Sequence, residues 1–357
     1  MNYRNFLITG GAGFVGSNIA LRLMERYPHV HITVLDNLKR RGSELNIGRL
    51  QQRGITFIHG DIRAREDLDF DFPIDCIIEC SAEPSVLAGV HESPRYLLHT
   101  NLVGSLNCFE VARTHHADVI FLSTSRVYPI HQLNELRYAE SPTRFTLRKK
   151  QPFAGASAKG ITEDFPLDGA RSLYGSSKLA SELILQEYID TYHIQAVINR
   201  CGVITGPWQM GKIDQGVIVL WMARHIWPNK KLSYIGYGGK GKQVRDFIHI
   251  DDLFDVLDIQ LSNMKAYNGH VFNIGGGLNN SLSLCELTQL CRTITGNTIP
   301  IRQQKRNREN DVRIYISDYS KFHTLSRWVP KRNAQKTLED IYAWIKDHQL
   351  ELSSILQ

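Results

Sequence analysis

The chain has 357 residues, enough for one large domain or two modest ones. Its content of 42% hydrophobic and 22% charged residues is typical of a globular protein, and its net charge of +6 is scattered along the chain. This charge favours solvated surface or the binding of small anions over nucleic acid. No apolar run reaches the ~18 residues of a membrane span, and six cysteines without CxxC pairs exclude a disulfide framework and a zinc site. We therefore expect a cytoplasmic protein with no metal, no nucleic-acid partner and no membrane insertion.

A strand, a glycine turn and a helix follow one another in FLITGGAGFVGSNIALRL near the N-terminus. Gly10 permits the tight turn, Gly13 lets a pyrophosphate come close, and Gly16 lets the helix and strand pack. The N–H groups at the start of the helix carry partial positive charge and bind phosphate. The pattern predicts a dinucleotide-binding turn.

The second predicted strand, HITVLD, ends in Asp36, twenty residues beyond Gly16. A carboxylate at this position accepts hydrogen bonds from both ribose hydroxyls and repels a 2′-phosphate. The predicted cofactor is therefore NAD, although NADP stays an alternative because the basic residues Lys39 and Arg40 lie nearby.

Further strands alternate with helices along the first half of the chain. They are predicted in ITFIHG, DCIIECSA, ADVIFLSTS and IQAVINRC, with one helix containing Asn101 and another from about Leu173. This alternation predicts an α/β fold with a Rossmann-type doubly wound parallel sheet. Ligands bind beyond the carboxyl ends of such strands, where the sequence places Asp36, Asp61, Ser81, Thr124 and Cys201.

We expect two domains. Residues 1–205 would form the NAD-binding domain with the catalytic residues. Residues 206–357 are less regular and would mainly form a smaller, mixed α/β substrate domain, with some elements returning to the first. A cleft between the domains is the expected ligand site.

Tyr174 and Lys178 in SLYGSSKLASELI are four residues apart, so on a helix they share one face. A lysine ammonium beside a phenol lowers the pKa of the phenol from its usual ~10, and the phenolate can then accept a proton from a sugar hydroxyl. Thr124, at the end of the fifth strand, could hydrogen-bond the reacting oxygen. These three residues are the predicted catalytic group.

The motifs TGGAGFVGSN, LDN, GDIR, STSRVY, YGSSK and VRDFIHIDDL together resemble the extended short-chain dehydrogenase/reductase family of nucleotide-sugar epimerases and dehydratases. The resemblance runs from Phe6 to about Pro330. Four stretches are more similar to one group of that family, the CDP-paratose 2-epimerases: DNLKRRGSELNIGRL, DQG, GKQVRDFIHIDDL and NIGGGLNNSLSL.

The resemblance implies a permanently bound NAD, and it assigns cofactor contacts residue by residue. These are Gly10, Gly13, Phe14, Val15 and Gly16 for the pyrophosphate, Asp36, Asn37 and Arg40 for the ribose side, Asp61 and Ile62 for the adenine, and Cys80, Ser81, Ala82, Asn101, Tyr174, Lys178 and Cys201 for the remainder. It also implies a homo-oligomer, either a dimer or a tetramer.

The resemblance further implies a nucleotide-sugar substrate, whose diphosphate would meet Arg245 and Arg308. A planar guanidinium pairs bidentately with phosphate oxygens. Glu83, Arg126 and Gln215 are additional candidates for the sugar site.

The chain departs from the family's dehydratases at a chemically important place. There the threonine is followed by an Asp-Glu pair, whereas Thr124 is followed by Ser125 and Arg126. Dehydration is therefore disfavoured. The fourth strand reads ECSAEPSV in place of the usual HLAG or HLAA.

The preferred hypothesis is an isomerase that acts on a CDP-sugar at C2, in the biosynthesis of lipopolysaccharide O-antigen. A 4-epimerase or reductase of a UDP- or dTDP-sugar is the alternative, because the motifs indicate the type of reaction better than the sugar carbon at which it occurs. A non-catalytic NAD-sensing protein of the same fold stays open as another class. The insertion over 144–172 is expected to be a lid or edge loop, or else a disordered surface segment.

Overall fold

The computed structural model describes residues 3–211, 215–228 and 231–356. Within those ranges the strands are β1 (Asn5–Thr9), β2 (His31–Asp36), β3 (Thr56–His59), β4 (Cys76–Glu79), β5 (Asp118–Thr124), β6 (Tyr138–Glu140), β7 (Phe145–Leu147), β8 (Ala156–Ser157), β9 (Gly160–Ile161), β10 (Ala196–Cys201), β11 (Val203–Thr205), β12 (Leu232–Ile235), β13 (Val244–His249), β14 (Val271–Ile274), β15 (Ser281–Ser283), β16 (Ile301–Gln304) and β17 (Ile314–Tyr315).

The α-helices of the same ranges are α1 (Phe14–Arg26), α2 (Leu45–Gln51), α3 (Arg95–Leu98), α4 (Ser105–His115), α5 (Ile130–Asn134), α6 (Leu173–Tyr192), α7 (Val217–Ile226), α8 (Ile250–Ser262), α9 (Met264–Tyr267), α10 (Leu284–Thr295), α11 (Ser320–Ser326), α12 (Ala334–Asp347) and α13 (Gln349–Leu356). None of the helices in the described part of the chain has the length and apolar character needed to cross a membrane.

The central sheet has seven strands in the order β14-β10-β5-β4-β1-β2-β3. The pairs β1–β2, β1–β4, β2–β3 and β4–β5 are parallel. The chain order therefore reverses at β1, and β1 and β4 lie side by side with Thr9 opposite Glu79. This is the predicted Rossmann-type doubly wound sheet, in which the reversal point is the expected ligand site.

A buried apolar cluster lies between this sheet and helices α4 and α6. Leu7, Ile77 and Phe121 contribute from the strands, and Phe109 and Leu185 contribute from the helices. The strands read as continuous apolar runs because a parallel sheet is covered on both faces. The sheet and α6 are thus held together by a packed core.

The chain divides into two compact units. Unit 1 comprises Met1–Val127, Leu173–Arg200 and Leu253–Phe272, and unit 2 comprises Tyr128–Ser172, Cys201–Asp252 and Asn273–Gln357. Compared with the sequence-based boundary after residue 205, residues 128–172 and 201–205 group with the second unit and residues 253–272 with the first.

Unit 2 contains a sheet of β11, β13, β15 and β17, and the small pairs β12–β16, β6–β7 and β8–β9. The insertion over 144–172 belongs to this unit and is folded. Ile161 is fully buried, and its backbone N–H donates to the Ile316 carbonyl. The disordered alternative for this insertion is therefore wrong.

The predicted helix around Asn101 is interrupted. Between α3 and α4 the chain forms a wider π-helical turn over His99–Gly104, and Asn101 lies within it, fully buried. Such turns often accompany functional sites. The wider turn lets the Asn101 side chain bond to groups outside its own helix.

Asp246 on β13 is a completely buried carboxyl group in unit 2. Its Oδ2 accepts a hydrogen bond from the Gly277 N–H at 3.2 Å. Burial raises the pKa of Asp246 to about 6, although neighbouring donors oppose the shift. Asp246 therefore binds its proton more tightly in the folded protein than in the unfolded chain.

We predict that Asp246→Asn changes how stability depends on pH. The unfolded carboxyl group titrates near its ordinary pKa of ~3.9. Between that value and about 6 the unfolded chain releases its proton while folded Asp246 retains it. The free energy of unfolding of the parent, relative to the variant, should thus be highest below pH ~4 and fall by roughly 2–3 kcal/mol as the pH rises. Urea unfolding at pH 4 to 7 measures this difference, and a value independent of pH would contradict the shift.

Candidate active site

The glycine turn joins β1 to α1 in unit 1. Gly10 has a left-handed backbone with φ of +63°, and a Cβ there would lie 2.9 Å from the Ser81 N atom. Helix α1 begins after Gly13 with no side-chain cap. The first-turn N–H groups of Phe14, Val15 and Gly16 therefore face the helix terminus without a side-chain acceptor, as an anion site requires.

Asp36 holds this turn at the end of β2. Its Oδ2 accepts from the N–H groups of Ala12 and Gly13, both at 3.1 Å, and its Oδ1 accepts from the Leu38 N–H at 2.8 Å. Burial raises the pKa of Asp36, and the three N–H donors oppose that shift. The carboxylate is thus fixed beside the turn, with lone pairs left for ribose hydroxyls.

Asp61, at the end of the third strand region, is joined to the same place. Asn37 Nδ2 donates to Asp61 Oδ2 at 2.9 Å, and the Arg63 side chain forms an ion pair with that oxygen at 2.6 Å. The Arg63 guanidinium holds the pKa of Asp61 at about 2. Arg40 lies in the loop beyond β2, where its carbonyl accepts from Ser43 Oγ.

Ile62 is buried in the apolar core, and a Cβ at Gly104 would lie 2.5 Å from its Cδ1. Its carbonyl accepts from Asn107 Nδ2 at 2.8 Å. The Ile62 side chain therefore packs against the π-helical turn.

The uncapped helix start, the left-handed Gly10 and the fixed carboxylates of Asp36 and Asp61 fit a dinucleotide. The phosphates would meet the N–H groups, and the ribose would meet Asp36. The close packing of Gly11 against strand β2 was not predicted. Its N–H donates to the Leu35 carbonyl at 3.1 Å, and a Cβ there would lie 3.0 Å from Val34 Cγ1.

Asn101 links the segment after β4 to helix α6. Its Oδ1 accepts from the Glu83 N–H at 2.8 Å, and its Nδ2 donates to the Glu83 carbonyl and to Ser177 Oγ. Its own carbonyl accepts from Ser181 Oγ at 2.8 Å. Asn101 therefore joins the Glu83 backbone, directly after Cys80, Ser81 and Ala82, to the helix that carries Tyr174 and Lys178.

Tyr174 and Lys178 lie in the first two turns of α6, and Thr124 ends β5. Thr124 is buried, and its Oγ1 accepts from the Arg126 N–H at 3.2 Å. Tyr174 is partly exposed, whereas Lys178 is only 1% exposed. The three predicted catalytic residues thus all belong to unit 1, where Thr124 ends a strand and the other two lie on α6.

Sequence reasoning missed the partner of Lys178. Its Nζ donates to Glu79 Oε2 at 3.2 Å, and both side chains are buried. Nζ also lies 4.1 Å from the centroid of the Phe121 ring. A signal was available, because Glu79 is a charged residue in the buried strand CIIE and such a residue needs a partner.

A second buried ion pair lies one turn further along α6. Glu182 Oε2 accepts from Arg200 Nη2 at 2.7 Å and from Arg200 Nε at 3.0 Å. Ser123 Oγ donates to Glu182 as well. The pair connects α6 to β10 and β5, immediately before Thr124.

The remaining predicted residues lie in unit 2. Arg245 Nη2 bonds to Asp311 Oδ1 at 2.7 Å and to the Val312 carbonyl at 2.5 Å. This contact brings the segment that contains Arg308 alongside Arg245, and Asp311 was not predicted. Gln215 and Cys201 also lie in this unit, and Cys201 is buried and forms no disulfide bond. Asp214, in the DQG stretch, lies outside the described residues.

Over the described ranges, no three His, Cys, Asp or Glu side chains are grouped so that they could hold a metal ion.

A Rossmann-type sheet with this glycine turn and a tyrosine–lysine pair on α6 is the architecture of the extended short-chain dehydrogenase/reductases. The chain belongs to the NAD dependent epimerase/dehydratase family, which it matches over residues 6–275. NAD is thus the cofactor of the family, as the sequence predicted.

Three similar proteins illustrate the range of that family. The CDP-paratose 2-epimerase of Salmonella typhi is 30% identical over 350 residues, which cover 95% of this chain and 98% of that protein. The structure of the UDP-glucose 4-epimerase of Thermotoga maritima, with UDP-glucose, has a TM-score of 0.76 at 25% identity and covers 97% of this chain and 99% of that one. The structure of the dTDP-glucose 4,6-dehydratase of Bacillus anthracis, in complex with NAD, has a TM-score of 0.75 at 25% identity and covers 97% of each chain.

We predict that Gly13→Ala reduces the amount of NAD that co-purifies with the protein while the fold is retained. Gly13 has an ordinary φ of −68°, and a Cβ there would lie 3.0 Å from the Gly10 carbonyl oxygen. The added methyl group must therefore displace the turn on the side where a pyrophosphate approaches. Extraction and enzymatic assay of the nucleotide measure the loss.

Gly48→Ala is the matched control, because Gly48 lies inside α2 and its Cβ would meet nothing within 4 Å. This variant should retain its full NAD content. An undiminished NAD content in Gly13→Ala would contradict the assigned role of the turn.

Proposed function

We propose that the protein is an NAD-dependent nucleotide-sugar epimerase, and that it acts at C2 of a CDP-sugar of the paratose/tyvelose type. The observation that carries the general assignment is that Tyr174 and Lys178 lie one turn apart on α6, with Lys178 Nζ bonded to Glu79 at the end of β4, while Thr124 ends β5. The similarity to the CDP-paratose 2-epimerase along nearly the whole chain supports the finer assignment.

The bound NAD would supply a reversible hydride acceptor, so that the reaction has no net redox demand. The chain would hold it by the turn from Gly10 to Gly16 and by Asp36 and Asp61. Oxidation of the sugar carbon to a ketone and return of the hydride to the opposite face invert that carbon.

The residues of α6 and β5 would move the proton that accompanies this hydride. Tyr174 as phenolate accepts the proton of the reacting hydroxyl and returns it in the second half of the reaction. The Lys178 ammonium stabilises the phenolate. Thr124 Oγ1 has lone pairs and a proton for a hydrogen bond with the reacting oxygen.

Dehydration is not favoured by these residues. Elimination of water needs a general acid and base next to the threonine, and the chain has Ser125 and Arg126 there. Arg126 and Glu83 are instead proposed to contact the sugar, and Gln215 is a further candidate.

Arg245 and Arg308 are proposed to bind the diphosphate, so that the sugar can turn about a fixed anchor without leaving the site. The pairing of Arg245 with Asp311 supports the idea that this guanidinium is oriented before substrate arrives. A bidentate guanidinium–phosphate contact would then require little rearrangement.

The second candidate is 4-epimerisation or reduction of a UDP- or dTDP-sugar. The likeness to the Thermotoga maritima UDP-glucose 4-epimerase favours it, because the same tyrosine and threonine serve oxidation at C4 if the sugar is oriented differently.

The protein is further proposed to be a cytoplasmic homo-oligomer, dimer or tetramer. The six cysteines form no disulfide bond with one another, which fits a reducing compartment. Leu183 and Tyr192 on α6 are 56% and 49% exposed, which supports a subunit contact on this helix.

We predict that Tyr174→Phe lowers kcat by at least ~100-fold while the NAD content is unchanged, because only the proton acceptor is removed. Turnover of a CDP-sugar followed by NMR measures the loss. Tyr192→Phe is the control on the same helix and should be fully active. Normal turnover by Tyr174→Phe would refute the assigned role of Tyr174, whereas the absence of turnover by the parent protein would favour a non-catalytic NAD-sensing protein.

We predict that deuterium at C2 of the CDP-sugar slows turnover and remains at C2 of the product. The hydride leaves and returns within one site, so it does not exchange with solvent. Product NMR against a panel of CDP-, UDP- and dTDP-sugars identifies the substrate. If only deuterium at C4 slowed turnover, 2-epimerisation would be refuted and the 4-epimerase would be favoured.

A further inference from the structure

The buried carboxyl group of Glu79 is not explained by stability. The other residues of β4 are Cys76, Ile77 and Ile78, so an apolar side chain would continue the strand. Removing two charges from water costs more than their attraction commonly returns, and apolar replacements of buried pairs are often as stable. Moreover, Glu79 Oε1 is buried without a hydrogen-bond partner. The carboxyl group is retained at a cost to the fold.

The contacts of Glu79 are directed to Lys178. Oε2 accepts from Lys178 Nζ at 3.2 Å, and the Ser81 N–H also donates to this carboxyl group. The carboxylate therefore touches the ammonium and makes no hydrogen bond to the Tyr174 phenol.

Three neutral groups lie beside the pair. β1 contributes the Thr9 hydroxyl, β5 the Phe121 ring, and α4 the Cys108 thiol. Burial raises the pKa of Cys108 well above its ordinary value, so this thiol stays protonated. The titratable neighbour on α6 itself is Tyr174. One turn after Lys178 on α6, the charge of Glu182 is balanced by the charge of Arg200.

The proposed mechanism needs Tyr174 and Lys178 to carry one proton between them when the phenolate acts as base. The proton lies either on nitrogen, giving phenolate and ammonium, or on oxygen, giving phenol and amine. Burial disfavours the ammonium, and lysines buried without a counter-charge can lose their proton near pH 6. A carboxylate in contact with Nζ stabilises the ammonium more than it destabilises the more distant phenolate.

We propose that Glu79 is a positioning residue that keeps Lys178 in its ammonium form and so allows Tyr174 to exist as phenolate in the working enzyme. This rests on the proposed roles of Tyr174 and Lys178. Burial raises the pKa of Glu79 itself, and the Lys178 ammonium opposes that shift.

The test is the ionisation of Tyr174 in the holoenzyme with Glu79→Gln, which keeps an acceptor for Nζ and removes the charge. Absorbance at 295 nm is titrated for each protein and for its counterpart with Tyr174→Phe, and the difference isolates Tyr174. We expect the Tyr174 transition to move upward by about one pH unit or more, and kcat/KM near neutral pH to fall about tenfold, the two being equivalent changes in free energy.

Glu182→Gln is the control. It neutralises an equally buried carboxylate one turn further along α6, so it should lower the thermal midpoint and leave the Tyr174 transition in place. If Glu79→Gln does not fold, Glu79→His replaces it. Histidine also lacks the negative charge, and the usual HLAG motif of the family has it at this position, so the same upward shift is expected.

A transition that stays in place or moves downward in a folded Glu79 variant overturns the inference, since the carboxylate would then be structural or would merely oppose the phenolate. The failure of the proposed function looks different. In that case Tyr174 of the parent protein would titrate at its ordinary pKa of ~10, and Tyr174→Phe would remain active.

Discussion

Four buried charges of alternating sign fix helix α6 against the parallel sheet. Lys178 pairs with Glu79 of β4, and Glu182 pairs with Arg200 of β10 while it also accepts from Ser123 of β5. Lys178 and Glu182 are one turn apart, so both pairs lie on the face that the helix turns to the strands. Removing one member of a buried pair costs about 3–5 kcal/mol in other proteins, because the remaining charge is uncompensated. Helix α6 is thus joined by charged side chains to β4 and β10 and by a hydrogen bond to β5.

The cofactor side of the site depends on a different constraint, the geometry of parallel strands. The carboxyl ends of β1, β2, β4 and β5 meet at one edge of the sheet, so residues far apart in the chain become neighbours there. Asp36 contributes most, since it holds the glycine turn through Ala12 and Gly13 and leaves the start of α1 uncapped. Asn101 makes the corresponding connection between Glu83 and α6.

Local patterns with their own physical cause could be predicted from the sequence. The Gly10 turn, the strand ending in Asp36 and the helix beginning at Leu173 all depend on neighbours in the chain, and each has the predicted type. Partners from distant segments could not be predicted: Glu79 with Lys178, and Asp311 with Arg245, are set by packing across the fold. The insertion over 144–172 was ambiguous for the same reason, because Ile161 is ordered by the distant Ile316 backbone.

The π-helical turn around Asn101 has a consequence for the tolerance of this chain to insertions and deletions. Each residue of a regular helix rotates the side-chain direction by about 100° around the helix axis. The π-helical turn therefore sets the angle between the buried side chains of Leu97, before the turn, and Phe109, after it. Loss of a single residue between them would rotate one of these side chains out of the core or turn the Asn101 amide away from Glu83. The length of this segment is therefore constrained even where its side chains are free to vary.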